Sequence, residues 1–205
     1  LLLFRMIFVL RFELFLFLDL FLHKTQQMSF LEKKMKLRVI NQKISSFLEK
    51  SLYEIFQQVT AKSEPNFSNT NIGLRRLKYL CLNLLSYQSA YEPLVKETIL
   101  QSETMSDLFQ SFKIAVDLSE DLRNFAIQYF YDKQNHDNLI MNKWFTIQAQ
   151  SFHANTLLKV QELYNHKKFN NKNPNNVYSL LRNFGNNLIR FNDQPEKSYY
   201  FLAEK

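Results

Sequence analysis

Two glycines and four prolines in 205 residues leave this chain few ways to make tight turns. Sandwiches and barrels need a turn about every dozen residues, so the scarcity points to helices. The apolar residues agree, because they recur every three or four positions, the spacing of one helix face. From Ser29 to Val59 they are Phe30, Met35, Leu37, Ile40, Ile44, Phe47, Leu48, Leu52, Ile55, Phe56 and Val59, read as one long amphipathic helix. The polar stretch 61–70 reads as a loop. Asn69, Thr70 or Asn71 is expected to cap a helix with Ile72, Leu77, Leu80, Cys81, Leu84 and Leu85 inward.

Further faces follow. Leu94, Val95, Ile99 and Leu100 form one, and Leu108, Phe109, Phe112 and Ile114 another, capped by Ser106. Ser119 is placed to cap a third, with Glu120 and Asp121 in the first turn, where the helix dipole favours acids, ahead of Leu122, Phe125, Ala126, Tyr129 and Phe130. Leu139, Ile140, Trp144, Phe145 and Ile147 make the next face, and Leu157, Leu158, Val160, Leu163 and Tyr164 the one after. Asn173–Pro174 is a strong helix start, and Gly185 a natural stop after Val177, Leu180, Leu181 and Phe184. Tyr199, Tyr200 and Phe201 read as packing residues. The expected fold is all-α, with antiparallel helical hairpins stacked in a curved, solenoid-like superhelix; no fixed repeat period is visible.

Residues 1–28 are set apart from the domain expected over 29–205. Leu1 to Leu22 is a Leu/Phe run interrupted by Arg5, Arg11, Glu13 and Asp19. A central charge costs about 2.5–3.5 kcal/mol on an insertion scale and each apolar residue returns about 0.3–0.6, so the run comes out near balance as a membrane span. It lacks a basic start and a small-residue cleavage site, which disfavours a signal peptide. The expectation is a start that is not native, with a membrane anchor as the lesser reading.

Chemistry is sparse. The histidines His23, His136, His153 and His166 show no metal-ligand spacing, and no H-E-x-x-H occurs. His136 and His166 read as ordinary exposed side chains. Gly73 and Gly185 lie too far apart for a phosphate loop, and no nucleophile elbow is present. Cys81 alone permits neither an internal disulfide nor a multi-cysteine zinc site, and reads as a packed thiol. Net charge is +7, yet the basic residues are dispersed apart from a concentration between Lys33 and Lys50, so a solvated surface is expected rather than a nucleic-acid patch. The residues predict no catalytic, cofactor-binding or metal-binding group.

Two segments carry a resemblance. Asn138-Leu-Ile-Met-Asn-Lys-Trp-Phe-Thr-Ile-Gln-Ala149 resembles a hallmark of the C-terminal domain of bacterial aminopeptidase N, a zinc metallopeptidase family, with Asn142 where Asp is usual. Downstream, His166-Lys-Lys-Phe169 and Asn171-Lys-Asn-Pro-Asn-Asn-Val177 resemble that family's His-x-x-Phe and Asn-Pro-Asn-Arg-Val, with Asn176 at the Arg position. Ser179 to Phe184 continues the pattern, and Glu103 to Asp107 and Leu74 to Leu82 are similar to upstream family segments. The matching positions of most weight are Met141, Lys143, Trp144, Phe145, Gln148, Asn173, Pro174 and Asn175.

The resemblance implies a helical domain that caps the active-site chamber of a cytoplasmic aminopeptidase and limits which peptides enter. Zinc, the H-E-x-x-H and Gly-x-Met-Glu-Asn segments, and the partner catalytic and β domains would belong to the rest of such an enzyme. The family domain runs on past the equivalent of Phe201, so this copy reads as a fragment, inactive alone and poorly soluble without its catalytic partner. The alternative is a stand-alone basic helical module that binds a protein or RNA.

Overall fold

A computed structural model describes residues 30–62 and 68–205, with side chains from residue 36 onward; the readings of 1–28 lie outside the described residues. Among the described residues all regular structure is helical. The helices are α1 (Phe30–Phe47), α2 (Glu49–Lys62), α3 (Asn69–Leu85), α4 (Glu92–Leu100), α5 (Met105–Ala115), α6 (Glu120–Gln134), α7 (Asn138–Gln150) and α8 (Thr156–Tyr164). Then α9 spans 174–185, made of Pro174–Val177, a π-helical turn Tyr178–Arg182 and Asn183–Gly185. It is followed by α10 (Leu188–Asp193) and α11 (Pro195–Ala203). The chain divides into Leu1–Val39 and a compact unit Ile40–Lys205, which holds the core and the site described below.

Within that unit most consecutive helices pack against each other, and α5 also touches α3 and α7, the helices two positions away in the chain. This layering is the expected solenoid-like stack. The core follows it. Phe112 of α5 and Phe130 of α6 stack at 4.7 Å, and Leu82, Leu85, Val95, Val160, Leu180 and Phe184 are fully buried.

Several expectations shift by one position. The helix read over 29–59 bends at Leu48, although Leu48 and Leu52 keep their backbone bonds to Ile44 and Leu48. The covered stripe runs through the bend without a break, by way of Ile44, Ser45 and Leu48. Leu52, Ile55, Phe56 and Val59 are buried, while Phe47 is 88% exposed and Leu37 also faces out. On α3 the interior takes Tyr79, Cys81, Leu82 and Leu85, and Leu80 is turned out. Leu100 and Leu158, expected inside, are exposed as well. Of the C-terminal aromatics only Phe201 is packed away; Tyr199 lays an edge on Phe191 at 4.8 Å and Tyr200 stands in solvent.

Caps shift too. Ser68, one residue before the expected trio, accepts the Asn71 N–H at 3.3 Å and opens α3. Thr104, not Ser106, opens α5 by accepting the Asp107 N–H at 3.1 Å, and its hydroxyl returns a bond to the Asp107 carboxylate. The other Asp107 oxygen accepts from Tyr79 Oη at 2.9 Å, which ties α3 to the start of α5. Ser119 holds the cap position of α6 but donates instead to Glu92. Asn173 caps α9 and Pro174 fills its first turn, as read. Gly185 ends that helix without a left-handed φ.

Candidate functional site

The two motif segments fold into α7 and α9 and meet. On α7, Met141, Trp144, Phe145 and Gln148 share one stripe, since steps of three and four residues return to the same helix face. All four are buried, Phe145 and Gln148 completely. Trp144 donates its indole N–H to the Ile127 carbonyl at 3.0 Å, pinning α7 to α6. Gln148 donates to the Trp144 carbonyl at 3.1 Å. Lys143 points outward, its Nζ 5.3 Å from the ring of Phe109.

The His-x-x-Phe segment closes over this stripe. Phe169 packs edge-on against Phe145 at 5.6 Å. His166 lies 5.4 Å from Trp144, 5.5 Å from Tyr131 and 6.1 Å from Phe145. The reading of His166 as an ordinary exposed histidine is therefore corrected: it is half-buried in an aromatic cluster. Burial, and behind it Lys167, Lys159 and Lys168, lowers its pKa. His136 is exposed.

A polar seam runs beside the apolar stripe. Asn142, Thr146 and Gln150 are spaced four apart, so they form a second line along α7. Asn176 donates to Asn142 Oδ1 at 2.5 Å, and Ser179 reaches the same oxygen at 3.4 Å. Thr146 donates to the Ser179 carbonyl at 3.2 Å, and Gln150 to Asn183 Oδ1 at 2.7 Å. The partners climb in the same direction on both helices, so α7 and α9 run parallel, with α8 between them in the chain. The π turn fits here, because widening the helix frees carbonyls that must be satisfied elsewhere. Asn183 Nδ2 donates to the carbonyls of Tyr178 at 2.9 Å and Ser179 at 3.3 Å, and Thr146 covers the latter too.

Of the motif positions, then, Met141, Trp144, Phe145 and Gln148 come together in the core. Asn173 and Pro174 start α9, while Lys143 and Asn175 stay on the surface. The sequence reading gave no role to Asn142, Thr146, Gln150, Asn176, Ser179 and Asn183. Their signal was the four-residue spacing on α7, which is legible only once α9 is known to lie against it.

Chemically the seam is a joint. Its groups are amides and hydroxyls that satisfy one another, none of which is a nucleophile paired with a base. His153 and His166 do not fit zinc. The Nδ1 atoms of His153 and His166 are engaged with the backbone N–H groups of Asn155 and Lys168, and among the described residues no group of three or more His, Cys, Asp or Glu could hold a metal. No described helix is long and apolar enough to cross a membrane.

Stacked helical pairs joined by such seams define an armadillo-like helical domain. The chain belongs to the family described as "Domain of unknown function (DUF3458_C) ARM repeats", which matches residues 28–205, and it is a C-terminal domain of the aminopeptidase N type. It is similar to aminopeptidase N of Haemophilus influenzae, 33% identical over 65% of this chain and 16% of that protein. It is also similar to aminopeptidase N of Escherichia coli, 32% identical over 70% of this chain and 17% of that one. The chain thus spans about a sixth of the curated relatives it matches. In fold it is similar to a crystal structure of Legionella pneumophila aminopeptidase A in complex with aspartic acid, with a TM-score of 0.77, 23% identity, and coverage of 88% of this chain and 23% of that one.

Proposed function

We propose that this chain is the helical part of a zinc aminopeptidase, closing the chamber in which a catalytic portion releases N-terminal amino acids from peptides. The observation that carries the proposal is the family match along 28–205, coupled to relatives that are aminopeptidases several times longer than the matched segment. The interior supports it as well, since the motif residues of α7 and α9 serve packing rather than bond breaking. On this reading zinc, the base and the amine-binding residues sit on the catalytic portion, in the cytoplasm, and the helices set which peptides reach them.

The test is hydrolysis of an alanyl chromogenic amide with added zinc, using this chain alone, the separately expressed catalytic portion of a related enzyme, and the two mixed. The expected result is no turnover by the chain alone and, in the mixture, a change in the preference between short and long peptides. Unchanged length preference in the mixture would remove the role in access, and turnover by the chain alone would overturn the assignment of chemistry to another portion.

A further inference from the structure

Helix α8 is bracketed by two turns of the same build. Just before it, Nδ1 of His153 accepts the Asn155 N–H at 3.3 Å. Just after it, Nδ1 of His166 accepts the Lys168 N–H at 3.1 Å. In both, a ring nitrogen does what an asparagine oxygen does in an Asx turn, taking the amide two residues ahead. A nitrogen that accepts cannot also carry a proton. Both turns therefore require a neutral imidazole.

The surroundings of each ring are polar in a specific way. Around His153 stand the cations Arg123 and Arg190 and the carboxylates Glu120 and Asp117. Asp117 is engaged by the Ser151 hydroxyl at 2.8 Å and the Phe152 N–H at 2.7 Å. Around His166 stand Lys167, Lys159 and Lys168, with Glu162 bound to Lys159 at 3.0 Å. The ring also lies in tilted or edge-type contact with Trp144, Tyr131 and Phe145. A proton added at Nδ1 would turn an acceptor toward a donor in each turn, and at His166 it would add a cation beside three lysines.

We propose that α8 is a proton-released element: acidification protonates His153 and His166, opens the turns at both ends, and loosens α8 from α7 and α9 while the earlier helices stay folded. The sign follows from linkage. Burial first, and then neighbouring cations, hold both histidines below their ordinary value of 6.5, so the opened form takes the proton more readily than the closed one. The stabilisation is complete above the ordinary value and is lost as pH falls through the depressed ones. Each unit of depression amounts to a tenfold gain in the ratio of open to closed.

Amide hydrogen-exchange protection factors of the full chain, taken at about pH 7.5 and about pH 5 on either side of the ordinary histidine range, test this. The variants are His153→Asn, His166→Asn and both together, since asparagine keeps the acceptor and does not titrate. In the wild type, protection in α8 should fall about tenfold or more at the lower pH, with α6 unchanged, and the double variant should show no such fall. An equal fall in the double variant, or one spread evenly over α6 and α8, would overturn the proposal. Trp144 is the only tryptophan, so its emission reports the His166 contact without any substitution. It should drop with a midpoint below the ordinary histidine value, and a midpoint above that value would equally defeat the idea.

Discussion

Asn142 and Asn176 are the two places where the motif segments depart from the aminopeptidase N pattern, and they touch. Where that pattern has an acid and a base, this chain has two amides sharing one hydrogen bond at 2.5 Å. Asn176 is buried and also accepts the Asn170 N–H at 2.8 Å, so a lone charge here would lack a partner, and such a charge is strongly destabilising. Asn176→Arg alone should destabilise the fold by about 1–3 kcal/mol, and adding Asn142→Asp should recover most of that. A double-mutant cycle in urea measures it; additive effects would mean the two positions act independently. Cys81 gives a second residue-level prediction. It is buried, and burial pushes its thiol up to about 11, so little thiolate exists near neutral pH. Alkylation followed by mass spectrometry should find it unreactive until the chain unfolds, and fast labelling of the folded chain would mean that α3 opens.

At the level of elements, some helix starts were legible as residues, as at Asn173, and others only as neighbourhoods. Around residue 105 the sequence offers Thr104 and Ser106 one turn from the same apolar face. Thr104 becomes the cap because its oxygen meets the Asp107 N–H while Asp107 is held by Tyr79 from α3; that last bond joins residues far apart in the chain. Thr104→Ala should therefore lower stability by about 0.5–2 kcal/mol, and Ser106→Ala by much less. Comparison of their urea midpoints decides, and equal losses would place the cap elsewhere. The π turn in α9 was not legible at all. Nothing in Tyr178 to Arg182 announces it, since its freed carbonyls are satisfied by Thr146, more than thirty residues upstream, and by Asn183.

For the whole molecule, the late helices place apolar side chains in solvent: Leu139, Leu158, Leu188, Tyr199 and Tyr200 are all exposed. Singly such residues are ordinary. On the proposed function they are the surface a catalytic neighbour would cover. The isolated chain should then self-associate as concentration rises, and the catalytic portion of a related aminopeptidase should reverse this. Sedimentation velocity would show it, and a monomer at every concentration would count against a buried role for these residues. The break at Leu48 and the short helices α10 and α11 were not determined by the sequence itself; the order and approximate bounds of α3 to α9, the cap and proline that open α9, and the family resemblance were. These rest on interactions within a turn or two, where a 3.6-residue period and a cap are local facts. The tertiary structure decided what depends on where a neighbour stands. It chose Leu82 over Leu80 for the core of α3, turned Leu158 outward, put His166 under Trp144, and matched Asn142, Thr146 and Gln150 to Asn176, Ser179 and Asn183. One residue is about 100° around a helix, so a step too small to disturb the apolar period still decides which side chain is buried, and only the packed partner settles that step.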